Sequence, residues 1–480
     1  MKNKNFCTPD NSVIQFKEIL NFTNSFVQVS DTVNKAPFTI VEKDKSLPEI
    51  LFITSYPPRE CGIANYSHDL INAIDEKFSR SYSLKVCALE SNGIKRKYPA
   101  EVKYVLQTSE FEQYAELAEK INSDNNLALV FIQHEFGLFG GKYGVYINRL
   151  LCLINKPVIT TFHTILPDPD MNRKKVVQDI ADHSGIIIVM TTNSATILKR
   201  DYDIPAAKIA VISHGTHKIP SFDQNEKKVK NHLGNQLVLS TFGLLCSTKS
   251  IETALDALPA IIEKFPNVIY LIIGKTHPDV IKHEGEKYRD FLYDKVIQLE
   301  LQDNVRFINK YLSLEDLLDY LQSTDIYLFT SKDPNQAVSG TFAYAMSCGC
   351  PIISTPIPHA KEFIDSAGII FDFQSSQKLT EAAIRLLSDS DLMKKMRSNA
   401  LQIMGSTTWQ NSAIAHMKIC TNIIKEKYNP IRYSTPEIPF PYSKCISMHN
   451  EGIEGNPTIL IEPKSTVATI QLSSVTHSMN

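Results

Sequence analysis

The sequence predicts an α/β protein built from two parallel-sheet domains, and three observations predict it. Short, continuously apolar, β-prone runs alternate with amphipathic helical stretches from about residue 48 to residue 405, as strands covered by helices on both faces require. One polar and charged segment, ending in the run FDQNEKKVKNHLGN at residues 222–235, interrupts that alternation midway. Several of the strand-like runs end in clusters of glycine, histidine and hydroxyl residues, and the C-terminal ends of parallel strands are where such sheets hold ligands.

Residues 1–47 mix Asn, Ser, Thr and Lys with a few apolar side chains and are expected to be a loose leader with at most one weak helix. A first domain over 48–218 opens on the strand Ile50–Thr54, followed by a loop carrying Arg59 and Gly62 and by a helical run through Leu70, Ile71 and Ile74. Further strands are expected at Leu84–Leu89, Leu127–Gln133, Val158–Phe162, Gly185–Met190 and Ile209–Ser213. Residues 219–235 are the expected linker. A second domain over 236–405 repeats the alternation with strands Leu237–Phe242, Val268–Ile273, Val305–Asn309 and Ile326–Thr330, and helices Ile251–Phe265, Tyr288–Leu299 and Leu314–Leu321. Two such arrays joined by one linker imply two Rossmann-like domains facing a cleft. Residues 406–427 continue a helical pattern, and 428–480, rich in Pro, Ser and Thr, are expected to be a disordered tail.

With 480 residues, 43% hydrophobic and 21% charged, the chain can bury two sizeable cores. A net charge of −2 without a long basic block excludes a nucleic-acid binder that relies on clustered Lys and Arg. Nine cysteines, an odd number scattered through apolar segments without paired zinc spacing, suggest a reducing compartment. No run of about 18 apolar residues and no signal-peptide pattern is present, so no transmembrane segment and a cytoplasmic location are expected.

The segment from Asp333 to Thr355, DPNQAVSGTFAYAMSCGCPIIST, organises the second domain. A turn cluster follows the strand at Ile326, Ser339-Gly340-Thr341 precedes a helix-forming run closed by Gly349, and Pro351-Ile352-Ile353 resumes the sheet. Free N–H groups, the positive end of the helix dipole and a glycine that permits close approach make an anion site. An ordinary Ser or Thr cap would use the same residues.

Strand, loop, helix and Cys-Gly-x-Pro-Ile-Ile resemble the donor-binding segment of the retaining GT-B glycosyltransferases of the group 1 (family 4) kind. Their pattern, E-P-F-G-x-x-x-x-E-A-M-x-x-G-x-P-V, sets Gln336 at the first glutamate and Tyr344 at the second. Both glutamates are absent. The form found here resembles a divergent subgroup whose members also carry QHEFG and TFHT stretches, both present in this chain. The resemblance implies a GT-B fold whose last helix crosses back onto the first domain. It also implies that Lys249, within Gly243–Glu252 (GLLCSTKSIE), holds the donor diphosphate, while Leu244 stands where the family has an arginine.

The same resemblance supplies a set of expected site residues. Donor binding falls to Gly62, Gly243, Lys249, Gln336, Ser339, Gly340, Thr341 and Tyr344. Acceptor or sugar binding falls to Arg59, His134, Glu135 and His163, with His163 and Lys249 as the catalytic pair. His214 and His217, in SHGTH, stand at the domain junction and suit a hinge with some donor contact better than a metal site. No metal and no resident cofactor are expected, the nucleotide sugar (UDP-, GDP- or ADP-linked) being a co-substrate. The implied activity is transfer of a hexose, mannose or glucose among the candidates, to a saccharide acceptor with retention of configuration. A catalytically silent sugar-nucleotide or partner binder, and a GT-B sugar phosphorylase, are the alternatives.

Overall fold

The computed structural model describes residues 47–428 except 92, 94 and 365. The expected leader up to residue 46 and the tail beyond 428 lie outside the described residues.

Two parallel sheets carry the fold. In the first, β1 (Glu49–Thr54), β2 (Ser83–Glu90), β3 (Val102–Gln107), β4 (Leu127–His134), β5 (Val158–Phe162), β6 (Ile186–Val189) and β7 (Ile209–Val211) lie in the order β3-β2-β1-β4-β5-β6-β7. In the second, β8 (Leu237–Phe242), β9 (Val268–Ile273), β10 (Val305–Ile308), β11 (Ile326–Phe329), β12 (Ile352–Ser354) and β13 (Gly368–Ile370) lie in the order β10-β9-β8-β11-β12-β13. The central strands bury every residue or nearly so, β4 from end to end, as a sheet covered on both faces demands. Each order reverses once, between β1 and β4 and between β8 and β11, and loops splay apart at such a reversal to leave a crevice at the strand ends. The loops after β1, β4, β8 and β11, which border these reversals, all carry sequence motifs.

Two short strands escaped the pattern. β3, VKYVLQ, alternates inward and outward at the sheet edge with Val105 exposed, a weaker signal than a buried run, and β13 has only three residues. The segment 219–235, expected as a linker, contains the helix Gln224–Lys230, capped by Asp223. Three of its charges are ion-paired with the second domain. Lys228 is buried against Asp325 at 2.7 Å, and Lys227 and Lys230 both pair with Asp319 on the Leu314–Gln322 helix.

The helix Trp409–Tyr428 packs on the first domain: Trp409, Ala413, Met417 and Cys420 join the core of Phe52, Tyr66, Leu70 and Ile74. Tyr66 is the hub there, its ring 4.8 Å from His163, 5.1 Å from His214 and 5.1 Å from Trp409. Gly215 is required beside it, because a Cβ there would fall 2.0 Å from a Trp409 ring carbon. Gly215→Ala is therefore expected to cost about 1–3 kcal/mol through overpacking, read as a lower Tm by scanning calorimetry.

Candidate functional site

A cavity of about 930 Å³ lies where the two sheets' strand ends meet. Its wall comes from both domains. Pro57, Gly62, Asn65, His68 and Asp69 enter from the β1 loop and the following helix, Gly62–Phe78, and the rest comes mainly from the loops after β8, β9, β10 and β11.

The tightest convergence is on the second domain. Gly243, at φ +125, leaves β8 in a conformation that favours glycine, and a Cβ built on it would lie 3.0 Å from Lys249 Nζ and 3.0 Å from Thr341 Cγ2. Three expected donor-binding residues thus meet at one point. Lys249 is held from behind, where Thr330 Oγ1 donates to its carbonyl at 2.6 Å and Lys332 N donates to Thr248 O at 2.9 Å. Lys249 is half-buried at the cavity wall, and burial lowers its pKa while Cys246 opposes that shift. Lys249 forms no ion pair among the described residues. A desolvated ammonium of this kind gains most from an incoming anion.

The helix Gly340–Ser347 starts at the same point. Ser339 caps it, its hydroxyl accepting from Phe342 N at 3.3 Å and lying 3.0 Å from Thr341 Oγ1. At the far end Gly349, at φ +73, and Cys350 close a Schellman motif onto Met346 and Ala345. Thr341 and Tyr344, three residues apart, face the cavity together.

Of the expected donor-binding residues, Gly62, Gly243, Lys249, Gln336, Thr341 and Tyr344 line the cavity. Ser339 is buried beneath it, and Gly340 lies against His214, with a built Cβ 3.2 Å from His214 Nε2.

The expected acceptor-side residues stand behind the wall. His134 is fully buried among Phe136, Phe139 and Phe162, and burial takes its pKa to about 3. Its ring is enclosed by those aromatics and does not reach the cavity. Glu135 accepts from Thr164 Oγ1 at 2.6 Å and from Phe136 N at 2.9 Å, so Thr164, which does line the cavity, stands between them. Burial raises the Glu135 pKa against those two hydrogen bonds. Arg59 turns away, its Nη1 donating to Leu89 O at 3.1 Å. His163 is half-buried, 2.8 Å from Gln133 Oε1 through Nε2, and burial, then His214 and His134, take its pKa to about 3.

The structure adds residues that the sequence reading passed over. Asn65 and Asp69 join the expected Gly62 at helical spacing on the cavity side of one helix, opposite Leu70, Ile71 and Ile74, and that polar stripe was the available signal. Cross-domain contacts arise from the same region: Glu60 to Lys275 at 2.8 Å, Asn65 Nδ2 to Tyr311 OH at 2.8 Å, and Tyr344 OH to Asp69 Oδ2 at 2.7 Å. Among the described residues no cluster of three or more His, Cys, Asp or Glu could hold a metal ion, and no helix is long and apolar enough to cross a membrane.

Residues 222–403 match the family described as glycosyl transferases group 1. Among curated proteins the chain is similar to D-inositol 3-phosphate glycosyltransferase of Corynebacterium urealyticum, 25% identical over 250 residues covering 50% of this chain and 58% of that protein. The namesake of Corynebacterium diphtheriae is 22% identical over 280 residues, covering 54% and 64%. The chain thus spans about three fifths of the length of these relatives. Among solved structures it resembles Anabaena Alr3699/HepE in complex with UDP (TM-score 0.62, 17% identity, 78% of this chain and 100% of that one). Sucrose-phosphate synthase of Thermosynechococcus elongatus is comparable (TM-score 0.63, 14% identity, 79% and 100%). The fold is GT-B.

Proposed function

We propose that this chain, whose residues 222–403 match the group 1 glycosyl transferases, moves a hexosyl group from a nucleotide sugar to a saccharide acceptor with retention of configuration. The observation that carries this reading is the meeting of Gly243, Lys249 and Thr341 at the switch point of the second sheet. A glycine without a side chain, a desolvated ammonium and a helix N-terminus make up the chemistry that holds a diphosphate.

Retention needs no protein nucleophile in this scheme. The acceptor hydroxyl attacks the anomeric carbon from the face the diphosphate leaves, through an oxocarbenium-like transition state. The bond from the anomeric carbon to the phosphate oxygen breaks, the bond to the acceptor oxygen forms, and the leaving phosphate oxygen takes the acceptor proton. What the protein supplies is position and a countercharge for the departing diphosphate. UDP, GDP and ADP sugars are the candidate donors, and UDP is the nucleotide held by the similar Anabaena protein.

Binding is tested without knowing the acceptor. A nucleoside diphosphate at 100 times its Kd adds about 2.7 kcal/mol by mass action. Thermal melts with UDP, GDP and ADP should therefore show a clear upward shift for one of them, unchanged by EDTA. Curves that all overlay the unliganded melt up to millimolar nucleotide would refute the donor site. A silent binder is the second reading, favoured by Leu244, Gln336 and Tyr344, which carry no charge at the three positions where the family pattern has it.

A further inference from the structure

Asp69 is an acid enclosed in the cavity wall, its side chain 14% exposed. Three side chains from three segments converge on it. Tyr344 OH, from the second domain, donates to Oδ2 at 2.7 Å. His217 Nε2, from the junction, lies 3.2 Å from the same oxygen and 3.3 Å from the Tyr344 hydroxyl. His68 Nδ1 stands 3.8 Å from Oδ1, beyond hydrogen-bond distance. Burial alone would raise the Asp69 pKa, but His217, His68 and Tyr344 outweigh it and hold the carboxyl below its usual range.

A carboxylate offers about four acceptor sites. Tyr344, and His217 when its Nε2 carries the proton, take two on Oδ2, which leaves acceptor capacity on Oδ1 of this cavity-lining residue. Its position narrows what would use it. Tyr344 is one helical turn, about 5–6 Å, from Thr341 on one face of the Gly340–Ser347 helix, and Thr341 belongs to the point assigned to the diphosphate. The groups that flank a diphosphate in a nucleotide sugar are ribose on one side and the transferred hexose on the other. Both present hydroxyls, and hydroxyls donate to carboxylates.

We propose that Asp69 is a donor-binding residue whose carboxylate accepts hydrogen bonds from hydroxyls of the bound nucleotide sugar, with Tyr344 and His217 as the groups that position it. This rests on the donor site proposed above. Because Asp69 lies on the first domain and Tyr344 on the second, the same carboxylate couples hydroxyl recognition to the relative placement of the two domains.

The test is calorimetric titration of the full chain and of Asp69→Asn, whose amide keeps an acceptor for Tyr344 but not the charge. Three ligands are used: the nucleoside diphosphate that shifts the wild-type melt, its 2′,3′-dideoxy analogue, and its hexose conjugate. A charged hydrogen bond lost should weaken binding roughly tenfold or more. If Asp69 holds ribose, that loss falls on the nucleoside diphosphate and its conjugate but spares the dideoxy analogue. If it holds the hexose, the loss falls on the conjugate alone. Tyr344→Phe should give a smaller loss on the same ligands. Affinities within twofold of wild type for all three, or an equal loss for all three including the dideoxy analogue, would overturn the proposal, the latter marking Asp69 as a structural pin. A wild-type protein that binds none of the nucleotides sinks the donor site itself, whereas normal wild-type binding with an indifferent Asp69→Asn sinks only this inference.

Discussion

Lys249→Ala is expected to lower glycosyl transfer by about 100-fold or more, the size of effect seen when one preorganised donor is removed from developing charge. Nucleoside diphosphate binding should weaken with it, because the diphosphate is already charged in the ground state. The geometry explains the size. Lys249 Nζ sits within about a van der Waals contact of the space above Gly243, its pKa is lowered by burial, and Leu244 leaves no neighbouring arginine to share the charge. Lys249→Arg should recover less than its charge suggests, since a planar guanidinium does not fit where a compact ammonium abuts the glycine and Thr341. Steady-state rates with a titration of nucleotide affinity separate the two effects. Full turnover in Lys249→Ala would remove the residue from the mechanism.

His163→Ala is expected to behave differently, cutting transfer by about tenfold or more while nucleoside diphosphate affinity stays near wild type. It lies on the first domain behind the cavity wall, packed against Tyr66 and hydrogen-bonded to Gln133, so in the proposed site it acts on the sugar side through the wall it supports and not on a diphosphate at Gly243, Lys249 and Thr341. Loss of positioning that matters only in the transition state lowers kcat and kcat/KM together. With its pKa near 3, His163 acts as a neutral imidazole at any working pH. The wild-type rate should therefore show no ionisation near 6.5 that disappears in His163→Ala. A matching loss of nucleotide affinity would mean that the ring instead supports the cleft as a whole.

The fold was legible because parallel strands buried on both faces leave unbroken apolar runs, as at Leu237–Phe242 and Val268–Ile273, where expectation and structure coincide. The backbone of the loops proposed to bind the donor was legible for a related reason: glycine at Gly243 and a capped helix start at Ser339 are local backbone requirements. Asp69 was not legible in that way. Its partner Tyr344 is 275 residues distant along the chain, and no local pattern reports a contact made by two domains closing on each other. His134 and Glu135 show the converse limit. A polar cluster at a strand end marks the right end of the sheet, but packing and hydrogen bonds in the loop decide which side chain reaches the cleft, and Thr164 occupies the wall where Glu135 was expected.

The central claim is transfer from a nucleotide sugar, and the most direct measurement is mass spectrometry of the products formed from a panel of UDP-, GDP- and ADP-hexoses with saccharide acceptors. The account predicts that one nucleotide sugar is consumed, releasing its nucleoside diphosphate and adding one hexose to an acceptor. A protein that binds the nucleotide yet neither transfers nor hydrolyses any donor, or one that releases a sugar phosphate only when inorganic phosphate is added, would contradict it.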